Sequence, residues 1–245
     1  MNIAIIGYGK MGKEIERLAL PKHNVVSIID IDNQKEIEQL HDKKTDVAIE
    51  FTNPESVINN IISCFKQNIP IVCGTTGWHN KLKIVEEECK KYNGSLLYSS
   101  NFSIGVNLFF YLVKQSAQLL NSYYNSYNIS IEEIHHIQKK DSPSGTAITM
   151  ANIIMKEIKN IEKWINYLNT QHEHVNKQEL PIFSKRIENV IGIHKLTYES
   201  DIDIISLNHE AKNRKGFAYG AILAAEYIKD KKGIYTMNDL LNINI

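Results

Sequence analysis

The sequence predicts an α/β chain in two parts, a doubly wound parallel sheet and a second α+β domain with a mixed sheet. Three observations carry this expectation. Short apolar runs alternate with helix-spaced segments through the first hundred residues, a glycine-rich turn divides the first run from the first helix, and after about residue 102 strand candidates follow one another without helical crossovers.

Residues 2–6 form an apolar run that ends at Gly7, and residues 12–20 carry Ile15, Leu18 and Ala19 at helical spacing. Runs at 25–29 and 46–51 follow, each bounded by polar or turn-forming residues, as two further strands. Pro54-Glu55-Ser56 opens a helix through Val57, Ile58, Ile61 and Ile62 to Phe65. Residues 69–73 are a strand closed by Gly74, 81–92 a helix and 95–98 a strand. Alternation at this spacing indicates parallel βαβ units. Beyond residue 102 the pattern predicts a long helix over 106–120, a half-alternating strand over 130–137, and a helix over 146–161 behind the turn Asp141-Ser142-Pro143-Ser144-Gly145. Residues 166–179 read as a polar stretch with no assigned element. Strand candidates at 190–198 and 203–208, a helix over 217–228 and a short terminal segment from Gly233 complete the chain. Strands that succeed one another without crossovers predict a mixed or antiparallel sheet, hence a second domain.

Composition narrows the partners. The 245 residues hold 28 basic and 28 acidic side chains, and this balance offers no footprint for nucleic acid or an anionic membrane, both of which demand clustered Lys and Arg. No apolar run approaches the roughly 20 residues of a membrane helix. The opening Met-Asn-Ile-Ala-Ile-Ile-Gly enters a strand at once, without a basic n-region or a cleavage site, so the expected location is cytoplasmic. Cys64, Cys73 and Cys89 are an odd number with no CxxC pair, which argues against a disulfide framework and a zinc site. They read as small buried residues of a reduced protein.

Gly7-Tyr8-Gly9-Lys10-Met11-Gly12 is a GxGxxG placed directly after a strand and opening a helix. Its glycines allow a tight turn and close backbone approach to a pyrophosphate, while the helix N-terminus offers free N–H groups and partial positive charge. Asp30 ends the second strand at about the distance where an acid would bind the adenosine ribose hydroxyls. The combination predicts a Rossmann-type domain binding NADH or NADPH. Asp30 favours NADH slightly, because a 2′-phosphate would meet a like charge, although Lys10 and the Lys35 region could offset this. Asp32 lies two residues on, so either acid could instead be a solvated turn residue. Gly74-Thr75-Thr76-Gly77 and Ser99-Ser100-Asn101-Phe102 follow two further strands at their C-terminal ends, where small residues would let a nicotinamide approach. Ordinary turn chemistry would place the same residues there.

The densest constellation runs from Glu133 to Thr146. His135 and His136 emerge at a strand end, Lys139 follows, and Ser144-Gly145-Thr146 opens a helix whose N–H groups suit an anion. An imidazole can exchange a proton near neutral pH, so the implied ligand is a small polycarboxylate that is protonated as it reacts. A metal site is the competing reading of His135-His136. No third ligand of suitable spacing lies nearby, and successive strand residues point to opposite faces. The Ser-Gly-Thr turn is also a plain helix N-cap, and Lys140 reads as a solvated charge.

At this point the sequence resembles the 4-hydroxy-tetrahydrodipicolinate reductase (dihydrodipicolinate reductase) family. The resemblance rests on Glu-x-His-His-x-x-Lys-x-Asp-x-Pro-Ser-Gly-Thr-Ala at 133–147, Glu50-Phe51-Thr52-Asn53-Pro54, Gly74-Thr75-Thr76-Gly77, Ser99 to Asn107, Gly192-Ile193-His194 and His209 to Ala221. Near Arg186 the family often has glycine where Ile187 and Glu188 stand. The resemblance implies that His135 and Lys139 are the proton-transfer groups, that His136 touches substrate, and that Gly145 and Thr146 cradle its carboxylate. It implies cofactor contacts at Gly7 to Gly12, Asp30, Gly74, Thr75, Thr76, Ser99, Ser100, Asn101 and Phe102, and no metal. The implied activity is NAD(P)H-dependent reduction of the cyclic dicarboxylate of lysine and diaminopimelate biosynthesis. The implied organisation is a dinucleotide-binding domain (1–102 and 215–245) and a substrate-binding and oligomerisation domain (103–214), crossing near Phe102 and Arg214, in a homotetramer. Another two-domain reductase, such as an amino-acid dehydrogenase, and a non-catalytic NAD-binding sensor are the alternatives, and the intact Glu133 to Thr146 segment argues against both.

Overall fold

The computed structural model describes residues 1–168, 176–213 and 215–245. Part of the polar stretch, 169–175, and the expected crossing residue Arg214 lie outside the described residues. The chain divides into two compact units, Met1–Asn107 with Lys215–Ile243, and Leu108–Arg214 with Asn244–Ile245.

The first unit contains β1 (Asn2–Ile6), α1 (Lys10–Ala19), β2 (Asn24–Ile29), a 3-10 segment (Ile31–Gln39), β3 (Val47–Glu50), α2 (Val57–Lys66), β4 (Ile71–Cys73), α3 (Leu82–Tyr92) and β5 (Ser95–Tyr98). The long helix α4 (Ile104–Leu120) begins here and carries the chain into the second unit. After the chain returns, α6 (Lys215–Ile228), β11 (Gly233–Tyr235) and α7 (Met237–Leu241) complete the unit. The six strands lie in the order β11-β5-β4-β3-β1-β2, and every pair is parallel. Chain order reverses between β1 and β3, so the loops leaving these strands flank the switch point where open α/β sheets hold ligands.

Strand periodicity explains why both faces of this sheet are dry. Ile3, Ile5, Val47, Ile49, Val72 and Leu97 form one core with residues of α1 and α6, such as Ile15, Ala221 and Ala225. The intervening residues Ala4, Ile6, Ala48, Ile71, Cys73 and Leu96 form the other with α2 and α3. Side chains two apart share a face, so near-continuous apolar runs are what a doubly covered parallel sheet requires. β11, left without an assigned element from sequence, is an edge strand on β5.

The second unit holds β6 (Asn128–His135), α5 (Gly145–Glu157), β7 (Lys163–Leu168), β8 (Glu179–Arg186), β9 (Ile193–Glu199) and β10 (Ile204–Glu210). Its sheet runs β10-β9-β6-β8-β7 and is mixed, with β6/β8 and β7/β8 parallel and β6/β9 and β9/β10 antiparallel. Two boundaries differ from the sequence expectation. β6 stops at His135 rather than residue 137, where Lys139 N–H donates to the His136 carbonyl and turns the chain. α5 stops at Glu157 rather than 161: Ile158 is extended (φ −105, ψ 92), and buried Ile158 and Ile161 continue the apolar spacing outside the helix. The sequence reading missed β7 and β8. Pro181 argues against a strand between two neighbours, yet here it sits opposite Ile165 within β8, and Lys163, Asn166 and Lys185 blur the alternation.

Helix α6 approaches the loop after β5 so closely that a Cβ on Gly220 would lie 1.8 Å from the Phe102 carbonyl oxygen. Only backbone yields there, so Gly220→Ala is expected to cost about 1–3 kcal/mol, seen as a lower midpoint in thermal or urea unfolding. At Gly216, on the same helix, the nearest atom to a Cβ is Ser103 Oγ at 3.6 Å, and Gly216→Ala serves as the control with no loss. Equal losses at both positions would refute the close-packing account.

Candidate active site

The alternation of β6 places Ile129, Ile131, Glu133 and His135 on the buried face of the second sheet. Register then brings distant residues to them: Glu133 lies opposite His194 on β9 and Ser184 on β8, and His135 lies opposite Arg186. Glu133 is 0% exposed, and its two oxygens take different partners. Oε2 meets His135 Nδ1, and Oε1 accepts from Arg186 Nη1 at 2.9 Å. Burial alone would raise the Glu133 carboxyl, but the hydrogen bonds from His135 and Arg186 outweigh it and hold the group down at about 2. Glu133 is therefore a carboxylate that can only accept, and His135 Nδ1 carries the proton between them.

The His194 ring packs edge-on against His135, centroids 5.0 Å apart, and its Nε2 is hydrogen-bonded to Ser144 Oγ at 2.9 Å. Burial, then the neighbouring His135, push His194 down to about 3, so it is a neutral imidazole. Ser144 in turn caps α5, accepting from Ala147 N–H at 3.2 Å. The cap leaves the first-turn N–H groups of Gly145 and Thr146 without intrahelical acceptors, and a Cβ on Gly145 would meet nothing within 4 Å. An anion has open access to this helix terminus.

Lys139 stands on the loop between β6 and α5, and both Asp141 carboxylate oxygens accept from its Nζ at 2.8 Å. The Asp141 carbonyl accepts from Arg186 Nη2 at 2.7 Å. His136 is half-buried at the start of this loop, and Lys140 is exposed. The structure thus brings His135, Lys139, Gly145 and Thr146 into one unit, with Glu133, Arg186, Ser144 and His194 behind them. Sequence reasoning assigned no role to Arg186 or His194, because their contacts follow from sheet register across some fifty residues. His136 joins no set of potential metal ligands among the described residues, but His135 does: atoms of Glu133, His135 and His194 lie within 4.8 Å of one another. Arg186 already donates to one Glu133 oxygen and the His135 Nδ1–H to the other, so the cluster reads first as a hydrogen-bonded set.

In the first unit, Gly7 has φ +92, and a Cβ there would lie 2.1 Å from the Phe51 carbonyl oxygen. Gly9 is the N-cap of α1, makes no side-chain cap and would meet nothing within 4 Å. The first N–H groups of α1 consequently have no side-chain cap as acceptor. A cleft of about 380 Å³ lies here, lined by Gly7, Tyr8, Gly9 and Asp30 together with Gln34, Thr52 and Asn60 that the sequence reading did not select. Asp30 is exposed and also caps the 3-10 segment, its carboxylate accepting from Ile31 N–H at 3.0 Å while Asn33 Oδ1 accepts from Asp30 N–H at 2.7 Å.

The other cofactor candidates sit elsewhere than on this cleft wall. Lys10 is exposed, Met11 packs into a core, and Gly12 lies against the Gly7 carbonyl. Thr75 is buried with its hydroxyl donating to Glu50 at 3.1 Å, and Phe102 is 2% exposed in the core. Ser99 Oγ donates to the Asn101 carbonyl, and Asn101 Oδ1 accepts from Ser103 N–H, so both side chains brace their own turn. Gly74 is half-buried, with Thr76 and Ser100 exposed in these turns. Any contact from Thr75 or Phe102 to a ligand would come from backbone.

Two family descriptions match the chain: dihydrodipicolinate reductase, N-terminus, over residues 1–102, and dihydrodipicolinate reductase, C-terminus, over residues 105–241. A curated 4-hydroxy-tetrahydrodipicolinate reductase from Christiangramia forsetii is 46% identical over 242 residues, 99% of this chain and 98% of that protein. One from Rickettsia bellii is 38% identical over 245 residues, 98% and 94% of the two chains. Among solved structures, dipicolinate-bound dihydrodipicolinate reductase from Paenisporosarcina sp. TG-14 matches with a TM-score of 0.76 at 23% identity, covering 96% of this chain and 97% of that one. An amine dehydrogenase from Mycobacterium smegmatis matches with 0.60 at 9% identity, covering 96% and 94%. At those identities the two structures show a shared fold.

The electrostatics of the cluster can be tested without a ligand. His194 titrates at about 3 when folded and at 6.5 as a free imidazole, so between these values the unfolded chain binds more protons. Its contribution to stability is complete above pH 6.5 and is lost as pH falls toward 3, at about 1.4 kcal/mol per pH unit. Urea unfolding of the wild type and His194→Gln between pH 7 and 4 is expected to show a shallower slope for the variant. Parallel slopes would contradict a buried neutral His194.

Proposed function

The chain belongs to the dihydrodipicolinate reductase family, and on that premise we propose that it reduces 4-hydroxy-tetrahydrodipicolinate to tetrahydrodipicolinate with NADH or NADPH. The observation that carries this reading is the conjunction, in one unit, of an open α5 N-terminus at Gly145-Thr146 with His135 and Lys139. A dicarboxylate that must be protonated needs both an anion cradle and proton carriers. The shared fold alone would not decide the chemistry.

A dinucleotide fits the first unit. The open space at Gly9, the uncapped α1 terminus and the cleft beside Asp30 suit a pyrophosphate and an adenosine ribose. Loss of the 4-hydroxyl as water leaves a conjugated imine, and a bound reduced nicotinamide would supply the hydride taken up at its ring carbon four. The chain's own residues do the rest. Gly145 and Thr146 N–H groups and His136 bind carboxylate, and Lys139 exchanges its Asp141 partner for the second carboxylate or for the reacting centre. As the enamine returns to the imine, His135 Nε2 or Lys139 Nζ delivers the proton, a contribution worth roughly two to four orders of magnitude in rate. The exposed Asp30 carboxylate would repel a 2′-phosphate, which favours NADH.

Two features support a cytoplasmic homotetramer. Cys64, Cys73 and Cys89 are unpaired and buried, as suits a reducing compartment, and no helix among the described residues is long and apolar enough to cross a membrane. In the second unit, the sheet face opposite His135 presents half-buried Ile134, Phe183 and Ile193 around the Glu132–Lys185 ion pair, and the edge strand β10 exposes Ile204 at 61%. A sheet face of mixed apolar and paired charged residues, ending in an exposed edge strand, is a surface that another copy would cover.

His135→Gln and Lys139→Ala are each expected to lower kcat by roughly 10² to 10⁴ while dinucleotide binding survives. The assay follows cofactor oxidation with the product of dihydrodipicolinate synthase, run in parallel with NADH and NADPH, and NADH is expected to give the higher kcat/KM. Full activity in both variants would overturn the assignment. For assembly, light scattering on the wild type is expected to give four chains, and Ile204→Lys a smaller species of unchanged secondary structure. A monomeric wild type would remove the tetramer.

A further inference from the structure

Arg186 occupies an unusual place among these contacts. It ends β8 directly opposite His135, with its side chain only 15% exposed. One arm of its guanidinium reaches Glu133 Oε1 at 2.9 Å and the Lys185 carbonyl at 2.7 Å. The other reaches the Asp141 carbonyl at 2.7 Å. Glu133 holds His135, and Asp141 holds Lys139. Each proton carrier is therefore one residue removed from the same guanidinium.

Resting on the reductase reading, we propose that Arg186 is a positioning residue that sets both proton carriers at once. Through Glu133 it fixes His135 as the Nδ1–H form with Nε2 presented for reaction, and through the Asp141 carbonyl it fixes the loop that carries Lys139. Burying an arginine-glutamate pair gives little net stability over apolar packing, so geometric specification is the stronger reason for it. A planar fork can serve two acceptors in fixed directions, which an ammonium cannot. The hydrogen bond at one imidazole nitrogen determines which nitrogen is left for chemistry. Gly192 keeps that nitrogen accessible: a Cβ there would stand 3.1 Å from His135 Nε2.

The wild-type protein gives the first test. ¹⁵N NMR of the imidazole nitrogens is expected to show His135 as a single Nδ1–H tautomer, and Glu133→Gln to shift it toward a mixture. Arg186→Ala is expected to lower kcat roughly a hundredfold, within the range of lost proton-transfer catalysis, with dinucleotide affinity unchanged. Millimolar guanidinium is expected to restore several-fold of that activity, whereas Arg186→Lys stays impaired. An Nε2–H tautomer in the wild type, or a folded Arg186→Ala within twofold of wild-type kcat, overturns the proposal. If Arg186→Ala does not fold, the wild-type and Glu133→Gln spectra decide it. Failure of the wild type to turn over the dicarboxylate would instead sink the reductase reading, while the tautomer would still report whether Arg186 and Glu133 orient His135.

Discussion

A carboxylate sealed from water constrains the whole second unit. Glu133 is fully buried and ionised, and a buried charge is tolerable only when paired and hydrogen-bonded. Its two oxygens need donors from different places, and β6 alone supplies only His135. The second donor arrives on β8, so the parallel β6/β8 pairing must hold its register for the charge to be matched. A one-residue slip would turn Arg186 to the other face and leave Glu133 Oε1 without its donor. Fold and site are consequently one requirement: the mixed sheet is the scaffold that neutralises Glu133, and neutralising it orients the imidazole.

The first unit handles a similar problem with neutral donors. Glu50 ends β3 at 0% exposure and accepts from Thr52 N–H at 3.2 Å, Thr75 Oγ1 at 3.1 Å and the Cys73 thiol at 3.2 Å. Burial first, then Glu50, push the Cys73 thiol well up, so it stays protonated and serves as a donor rather than a nucleophile. The loops after β3 and β4 are thereby tied to one acceptor beside the cleft at Gly7 to Gly9, with Thr52 contributing both to the tie and to the cleft wall.

Legibility divided along the same line as the physics. The parallel sheet was readable because doubly buried strands are continuous apolar runs, and the glycine turn because only glycine tolerates the Gly7 conformation. In the second sheet β6 was readable from its alternation, whereas β8 was hidden by Pro181 and Lys185. At the site, local contacts were visible and distant ones were not. Glu133, His135, Lys139, Ser144 and Gly145 lie within thirteen residues of one another, but Arg186 and His194 reach them only through strand register. In the cofactor loops the residue types were legible but their side-chain partners were not: the Thr75 hydroxyl donates to Glu50 and the Phe102 ring lies in the core.

The return of the chain to its first unit has a consequence during synthesis. One face of the parallel sheet is covered in part by α6, and its outer edge by β11, both of which are made after the second unit. At ribosomal rates of roughly 5–20 residues per second, about 5–20 s pass while the intervening residues emerge. Throughout that interval Val72 and Leu97 lack their α6 partners, and β5 has a bare edge. The nascent chain must carry an open hydrophobic sheet until α6 and β11 leave the tunnel. Exposure to misassembly therefore concentrates in that interval, when the later unit has all its residues and the earlier one does not.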